Sequence, residues 1–155
     1  YQKQNVTCAS YMKPGEMKKL KGMEIAVTPS EGANRGYYIS VDNIGILWTP
    51  DKVNHYSQVD TFKEDVAFLA KKAGKIDIII LGTPVGLGPE NDRALEGILE
   101  YLEPLQAKAI IPRGDNHLCR MLVKEAAAKR LKTKVYHVDN PGDVLFHKND
   151  TIVIQ

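Results

Sequence analysis

The stretch GYYISVDNIGILWTPD, residues Gly36–Asp51, decides the fold, because it alternates as a β-hairpin and carries a carboxylate past the end of its second strand. Tyr38, Ser40 and Asp42 alternate with Tyr37, Ile39 and Val41, Asp42-Asn43 supplies the turn, and Ile44, Ile46 and Trp48 resume the period of two. Three β-then-α units follow. In open α/β sheets ligands gather outside the carboxyl ends of strands, where loops vary while the sheet stays rigid. A site beside Asp51 is therefore the first expectation, set against the plainer reading of Thr49-Pro50-Asp51-Lys52 as turn chemistry with Asp51 bonded to nearby amides.

Upstream of the hairpin, residues 1–21 form a polar lead with Lys13-Pro14-Gly15 and the basic cluster Lys18, Lys19 and Lys21, and Met23 to Thr28 reads as a strand stopped by Pro29. Downstream, Thr61-Phe62-Lys63-Glu64 has capping-box form, and Phe62, Val66, Leu69 and Ala73 recur at helical spacing up to Gly74, which predicts a helix over 61–73. Ile76 to Leu81 is a β-branched run of the kind buried on both faces, followed by the loop Gly82 to Pro89. Leu95, Ile98, Leu99 and Leu102 mark a second helix that ends before Pro104, and Ala107 to Ile111 makes the next strand. Asp115 or Asn116 caps a third helix bearing Leu118, Leu122 and Ala126, which runs into the basic segment Lys129 to Lys134. Val135–Val138, Val144–Phe146 and Thr151–Ile154 read as short strands around two turns.

The 155 residues fit one domain, 1–155, large enough for a real core. Lys+Arg of 21 against Asp+Glu of 19 leaves a formal charge of +2 with the signs interspersed, which argues against a nucleic-acid stripe or a membrane-binding face. No apolar run reaches the roughly 18 residues of a membrane span; the longest, Ile76 to Leu81, is interrupted by Asp77. Cys8 and Cys119 are expected to be free thiols, with one long-range bridge as the alternative, which leaves the compartment open, a cytoplasmic location being slightly favoured over a secreted one. The start at Tyr1 reads as a processed or truncated product.

The loop Gly82 to Glu90, GTPVGLGPE, offers amides and a helix start to an anion, with Gly82 and Thr83 as candidate substrate contacts. It lacks the Gly-Lys-Ser/Thr ending of a P-loop and the Gly-x-Gly-x-x-Gly spacing, so a plain connection is the favoured reading. His55, His117, His137 and His147 show no i, i+2 or i, i+4 pair that aims two imidazoles at one metal. Only His117 follows a core strand, and with Arg113 and Asp115 it belongs to the same sheet edge as Asp51. Serine nucleophile motifs are absent, and Cys119 with His117 at i, i+2 points to different helix faces.

Taken together, GMEIAVTPSEGANRGYYISVDNIGILWTPD, IDIIILGTPVGLGPENDRALEGILEYLEPLQAKAIIPRGDN and VYHVDNPGDVL resemble the second half of a metallo-β-lactamase-fold hydrolase, nearest its lactonase-like branch, over nearly the whole chain after Gly22. The resemblance implies an α/β protein: a mixed sheet with helices on one face, half of an αββα sandwich. In that family the hairpin ends in Gly-Asp-Thr, whose Asp bridges two metals; Thr49-Pro50-Asp51 matches this carboxylate. The family's Pro-x-His ligand falls on Pro112-Arg113-Gly114, leaving His117 as a displaced substitute, and a histidine after the first strand is replaced near Ser30-Glu31. The His-x-His-x-Asp-His motif of the first half is absent from the chain.

The resemblance thus implies a metal site of Asp51, His117 and Glu31 for zinc, or manganese or iron, with no metal if the site is degenerate. Arg113, Asp115, Gly82 and Thr83 would meet a small-molecule substrate. The first functional reading is a metal-dependent hydrolase of an ester, lactone or phosphoester; the alternative is a degraded scaffold for ligand binding or assembly. A nucleotide or phosphate binder using Gly82 to Gly88 ranks last, because that loop has no phosphate-gripping lysine. A lone half also leaves one sheet face apolar, so Ile25, Val27, Ile39 and Ile46 are expected to meet a partner: an unseen N-terminal half, a second subunit, or an identical chain in a homo-oligomer.

Overall fold

The computed structural model describes residues 11–30, 35–49, 55–83, 98–138, 145–148 and 151–154. Seven strands form one mixed sheet in the order of the chain: β1 (Met17–Leu20), β2 (Met23–Val27), β3 (Tyr37–Val41), β4 (Ile44–Trp48), β5 (Ile78–Gly82), β6 (Ala109–Arg113) and β7 (Lys134–Val135). β1 to β4 meander antiparallel, and β4 to β7 run parallel. Three helices are described, α1 (His55–Lys72), α2 (Ile98–Leu102) and α3 (Asn116–Lys129). β8 (Leu145–Lys148) and β9 (Thr151–Ile154) pair as a separate antiparallel hairpin.

The Gly36–Asp51 reading holds for the described part of that stretch. Asp42 and Asn43 both take positive φ, 51° and 62°, and Val41 pairs with Ile44 across them, the geometry that a two-residue hairpin demands of its central residues.

Topology then fixes the layers. Parallel connections are almost always right-handed, so four parallel strands laid down in one direction place their crossovers on the same face. Burial agrees: Tyr38, Leu47, Ile79, Leu81 and Ile110 are at most 2% exposed and share a core with Phe62, Val66 and Leu69 of α1, Leu99 and Leu102 of α2, and Leu118 and Leu122 of α3. The opposite face carries residues of the other parity. Register aligns Ile25, Ile39, Ile46 and Ile78 in one row across β2 to β5, and Val27, Tyr37, Trp48, Ile80 and Ile111 in the next across β2 to β6. Of these, Tyr37, Ile39 and Trp48 are 39–44% exposed, whereas Val27, expected on this face with Ile25, is buried at 2%.

Several boundaries differ from the sequence reading for identifiable reasons. α1 starts at His55 and runs through the expected cap at Thr61, because residues 55–60 contain no Gly or Pro to stop a helix. After α2 the chain continues through Pro104 as a 3₁₀ turn, Glu103–Leu105, where an early helical position tolerates proline, and Gln106 ends it at φ 49°. β5 begins two residues later than expected and ends one later, and β6 lies two residues further along. Asp77 ties off the start of this region: its N–H donates to Gly45 O at 2.8 Å and its C=O accepts from Lys108 N and Ala109 N at 3.0 and 3.1 Å. β1 lies inside the polar lead, and its Lys18 and Lys19 suit an exposed edge strand.

Candidate functional site at the strand-end rim

Because β2 runs antiparallel to β3 and β3 to β4, β2 has the same direction as β4, β5 and β6, so the carboxyl ends of all four share one rim. A threonine follows three of them. Thr28, Thr49 and Thr83 are 1–3% exposed, and each hydroxyl accepts a backbone N–H from a neighbouring segment: Gly36 N to Thr28 Oγ1 at 2.8 Å, Gly82 N to Thr49 Oγ1 at 2.8 Å, and Asp115 N to Thr83 Oγ1 at 3.1 Å. Amides that leave a ladder inside the protein need acceptors, and these hydroxyls supply them. The rim is therefore closed by backbone-to-hydroxyl stitching.

Behind the end of β2 the Ser30 N–H donates to Asp65 Oδ1 at 3.0 Å and the Ser30 hydroxyl donates to Asp65 Oδ2, joining the strand exit to α1. Burial pushes the Asp65 carboxyl above the usual carboxylate range, and donors from Ser30 and Thr28 only partly oppose it.

At the end of β6, Arg113 lays its guanidinium over Trp48, 4.1 Å from the ring centroid, and donates from Nη2 to Thr49 O at 3.1 Å. Gly114 follows with φ 126°, a conformation that L side chains rarely adopt. A Cβ built there would collide with Thr83 Oγ1 and lie 3.1 Å from Thr83 O. Asp115 is the N-cap of α3, its Oδ1 accepting from His117 N at 2.9 Å and Leu118 N at 3.1 Å. His117 sits in the first turn of α3 and is exposed. Cys119 is a buried free thiol whose pKa burial raises, the neighbouring Thr83 hydroxyl opposing this only in part. It lacks the electropositive, accessible surroundings of a nucleophilic cysteine.

The structure thus brings Gly82, Thr83, Arg113 and Asp115 to one corner of the rim, each already bonded within the protein. Asp51 and Glu31 lie outside the described residues, as does most of the loop after Thr83. Among the described residues no group of three His, Cys, Asp or Glu side chains converges on a point where a metal ion could sit. Among the described residues the rim offers one exposed imidazole, a carboxylate already accepting two amides, and a glycine at the expected late-ligand position, which by themselves do not make up a two-metal centre. Thr28, Thr49 and Asp65 were not singled out from the sequence as site-forming residues. The signal was nevertheless there, in a threonine directly after Val27, Trp48 and Gly82.

No protein-family model matches the chain, and no curated protein matches it. Solved structures do. The chain is similar to a mutant form of CmlA β-hydroxylase, with a TM-score of 0.55 and 12% identity over 81% of this chain and 31% of that one. It is similar also to CmlA, a diiron β-hydroxylase from Streptomyces venezuelae, with a TM-score of 0.50 and 11% identity over 80% and 32% of the two chains. The chain therefore spans about a third of the length of the structures it matches. CmlA is a metallo-β-lactamase-fold protein, and the likeness defines the class here: an α/β fold of metallo-β-lactamase type, with a mixed sheet and helices on one face. At these identities the likeness concerns the fold alone. Among the described residues no helix is long and apolar enough to cross a membrane.

Proposed function

We propose that this chain is a binding or assembly scaffold of the metallo-β-lactamase fold in which the two-metal hydrolytic centre is degenerate. One observation carries the reading: Gly114 stands where the resemblance puts the late histidine ligand, and Thr83 fills the space that a side chain there would need. The same Thr83 hydroxyl caps Asp115 N, so a ligand at position 114 would cost the rim one of its stitches. In this reading the rim takes a small molecule through loop contacts, without turnover.

A second reading is favoured by the convergence of four strand ends on one rim, directly before Glu31 and Asp51 in sequence. It is a metal-dependent hydrolase of an ester, lactone or phosphoester, with Asp51 as ligand and Glu31 and His117 assisting. The diiron description of CmlA supports placing iron beside zinc and manganese as metals to test.

Metal content separates the two. The chain is produced in medium supplemented with zinc, manganese and iron, and its metal is measured by plasma mass spectrometry beside Asp51→Ala. The scaffold reading expects far less than one metal per folded chain in both proteins. Stoichiometric metal in the wild type that disappears in Asp51→Ala would overturn it in favour of the hydrolase.

A further inference from the structure

A cavity of about 440 Å³ opens at the amino ends of β6 and β7, at the far end of those strands from the rim. The chain passes from the 3₁₀ turn through Gln106 into β6, and from α3 through Leu131 into β7, so the hollow lies where these two connections part. Its floor is apolar. Leu99, Leu102 and Ile110 are at most 2% exposed, and Leu131 is half-buried against the same core. The Thr133 hydroxyl donates to Ala107 O at 2.9 Å and so ties the two connections together along one wall. A recess of this volume with an apolar floor and a few polar groups at its edge is the ordinary form of a small-molecule site.

The charge at the mouth narrows the ligand. Lys108 is held by Asp77 at 3.2 Å, and Lys129 by Glu100 and Glu125 at 2.7 and 2.8 Å. Arg130, Lys132 and Lys134 then follow at every second position, and among the described residues none of these three is in an ion pair. Lys132 itself lines the cavity. Two features limit how much negative charge the mouth can take: Glu103, the one carboxylate among the described lining residues, and the carboxyl end of α3 with its partial negative charge. A phosphate dianion is repelled by both, whereas a single carboxylate answers the unpaired lysine with less repulsion. An apolar body suits the floor, where burying each methylene gains about 0.8 kcal/mol. We infer that this cavity binds a small amphipathic carboxylate, its alkyl body over Leu99, Leu102, Ile110 and Leu131 and its carboxylate at Lys132. The site lies apart from the strand-end rim and its metal chemistry, so failure of either reading leaves the other intact.

Octanoate is titrated into the full chain labelled with nitrogen-15, with octyl phosphate, octylammonium, octanol and acetate as matched probes. The expected result is saturable shifts of the Leu102, Gln106, Leu131 and Thr133 amides while those of Thr83 and Arg113 at the rim stay in place. Octanoate should bind more tightly than octyl phosphate, and at least about 10-fold more tightly than the other three. Lys132→Glu reverses the charge at an exposed position and should weaken octanoate by about 10-fold or more. Lys124→Glu, on the exposed side of α3, should leave binding as it was. The absence of a saturable shift up to about 10 mM octanoate overturns the proposal, since that limit corresponds to a negligible affinity. Shifts confined to the rim or to the helix-free sheet face overturn it equally, because the ligand then lies elsewhere. Octyl phosphate, octylammonium or octanol binding as tightly as octanoate contradicts the carboxylate, and so does a Lys132→Glu chain that binds octanoate like the wild type. Should Lys132→Glu fail to fold, the ranking of the five probes on the wild type decides alone.

Discussion

Gly114→Ala tests the feature on which the reading of the rim turns. Two separate costs are visible at this position. The backbone has φ 126°, where a Cβ is strained by about 1–2 kcal/mol relative to glycine. The new methyl also collides with Thr83 Oγ1, which accepts from Asp115 N and donates to Arg113 O, both at 3.1 Å. Displacing that hydroxyl loses one or two hydrogen bonds in a buried corner, about 1–3 kcal/mol. The sum is about 2–5 kcal/mol, a large share of a domain's stability. Urea denaturation measures it as a fall in midpoint at constant slope. A double-mutant cycle with Thr83→Ala divides the two parts, since removing Oγ1 relieves the collision but not the strain; the double mutant should be more stable than the sum of the singles by about 1–2 kcal/mol. A Gly114→Ala chain within about 0.5 kcal/mol of wild type would refute the argument, because position 114 would then have room for a ligand side chain.

Other expectations follow from the buried polar groups. Asp77 is fully buried, accepts from Gly45 N at 3.0 Å, and lies between Lys75 Nζ at 3.0 Å and Lys108 Nζ at 3.2 Å; Asp77→Ala should cost about 2–3 kcal/mol by urea denaturation. Burial raises its carboxyl, but the Gly45 amide and the two lysines outweigh that and hold it below the ordinary value. Its stabilisation is therefore present above about pH 4 and lost as pH falls through the folded value, so the cost of Asp77→Ala should shrink in acid; an unchanged cost there would contradict the assignment. Asp65 has the opposite sign: its raised carboxyl contributes stability that is complete below about pH 4 and lost as pH rises through the folded value. Wild type should lose stability relative to Asp65→Asn over that rise, and a gain would refute the sign. Thr49→Val keeps the shape but leaves Gly82 N–H without its acceptor, and should lower stability by about 1–2 kcal/mol in thermal or urea unfolding.

The fold was legible wherever local chemistry and burial pointed the same way. The period of two from Tyr37 to Trp48 with Asp-Asn between, the run from Ile78, and the spacing of Leu118, Leu122 and Ala126 each encode an element without reference to the rest of the chain. Boundaries were less legible where backbone partners decide them. Asp77 lies before β5 because its own N–H and C=O bind Gly45, Lys108 and Ala109, residues far away in sequence. β1 escaped notice because a four-residue edge strand rich in lysine has the composition of a loop. For the site, the strand-end rim was foreseeable from topology. The capping of α3 by Asp115 was legible too, as one of two neighbouring candidates, because a cap is local; the commitment of Arg113 to Trp48 was not, since it depends on side chains meeting across elements.

The account stands most directly on the metal chemistry of the rim. Crystals of the chain soaked in turn with zinc, manganese and iron, with anomalous differences measured at each absorption edge, locate any ion together with its ligands. The account predicts no pair of ions at the strand-end rim and no ion held jointly by Asp51, Glu31 and His117. Two adjacent peaks bridged by the Asp51 carboxylate would contradict it.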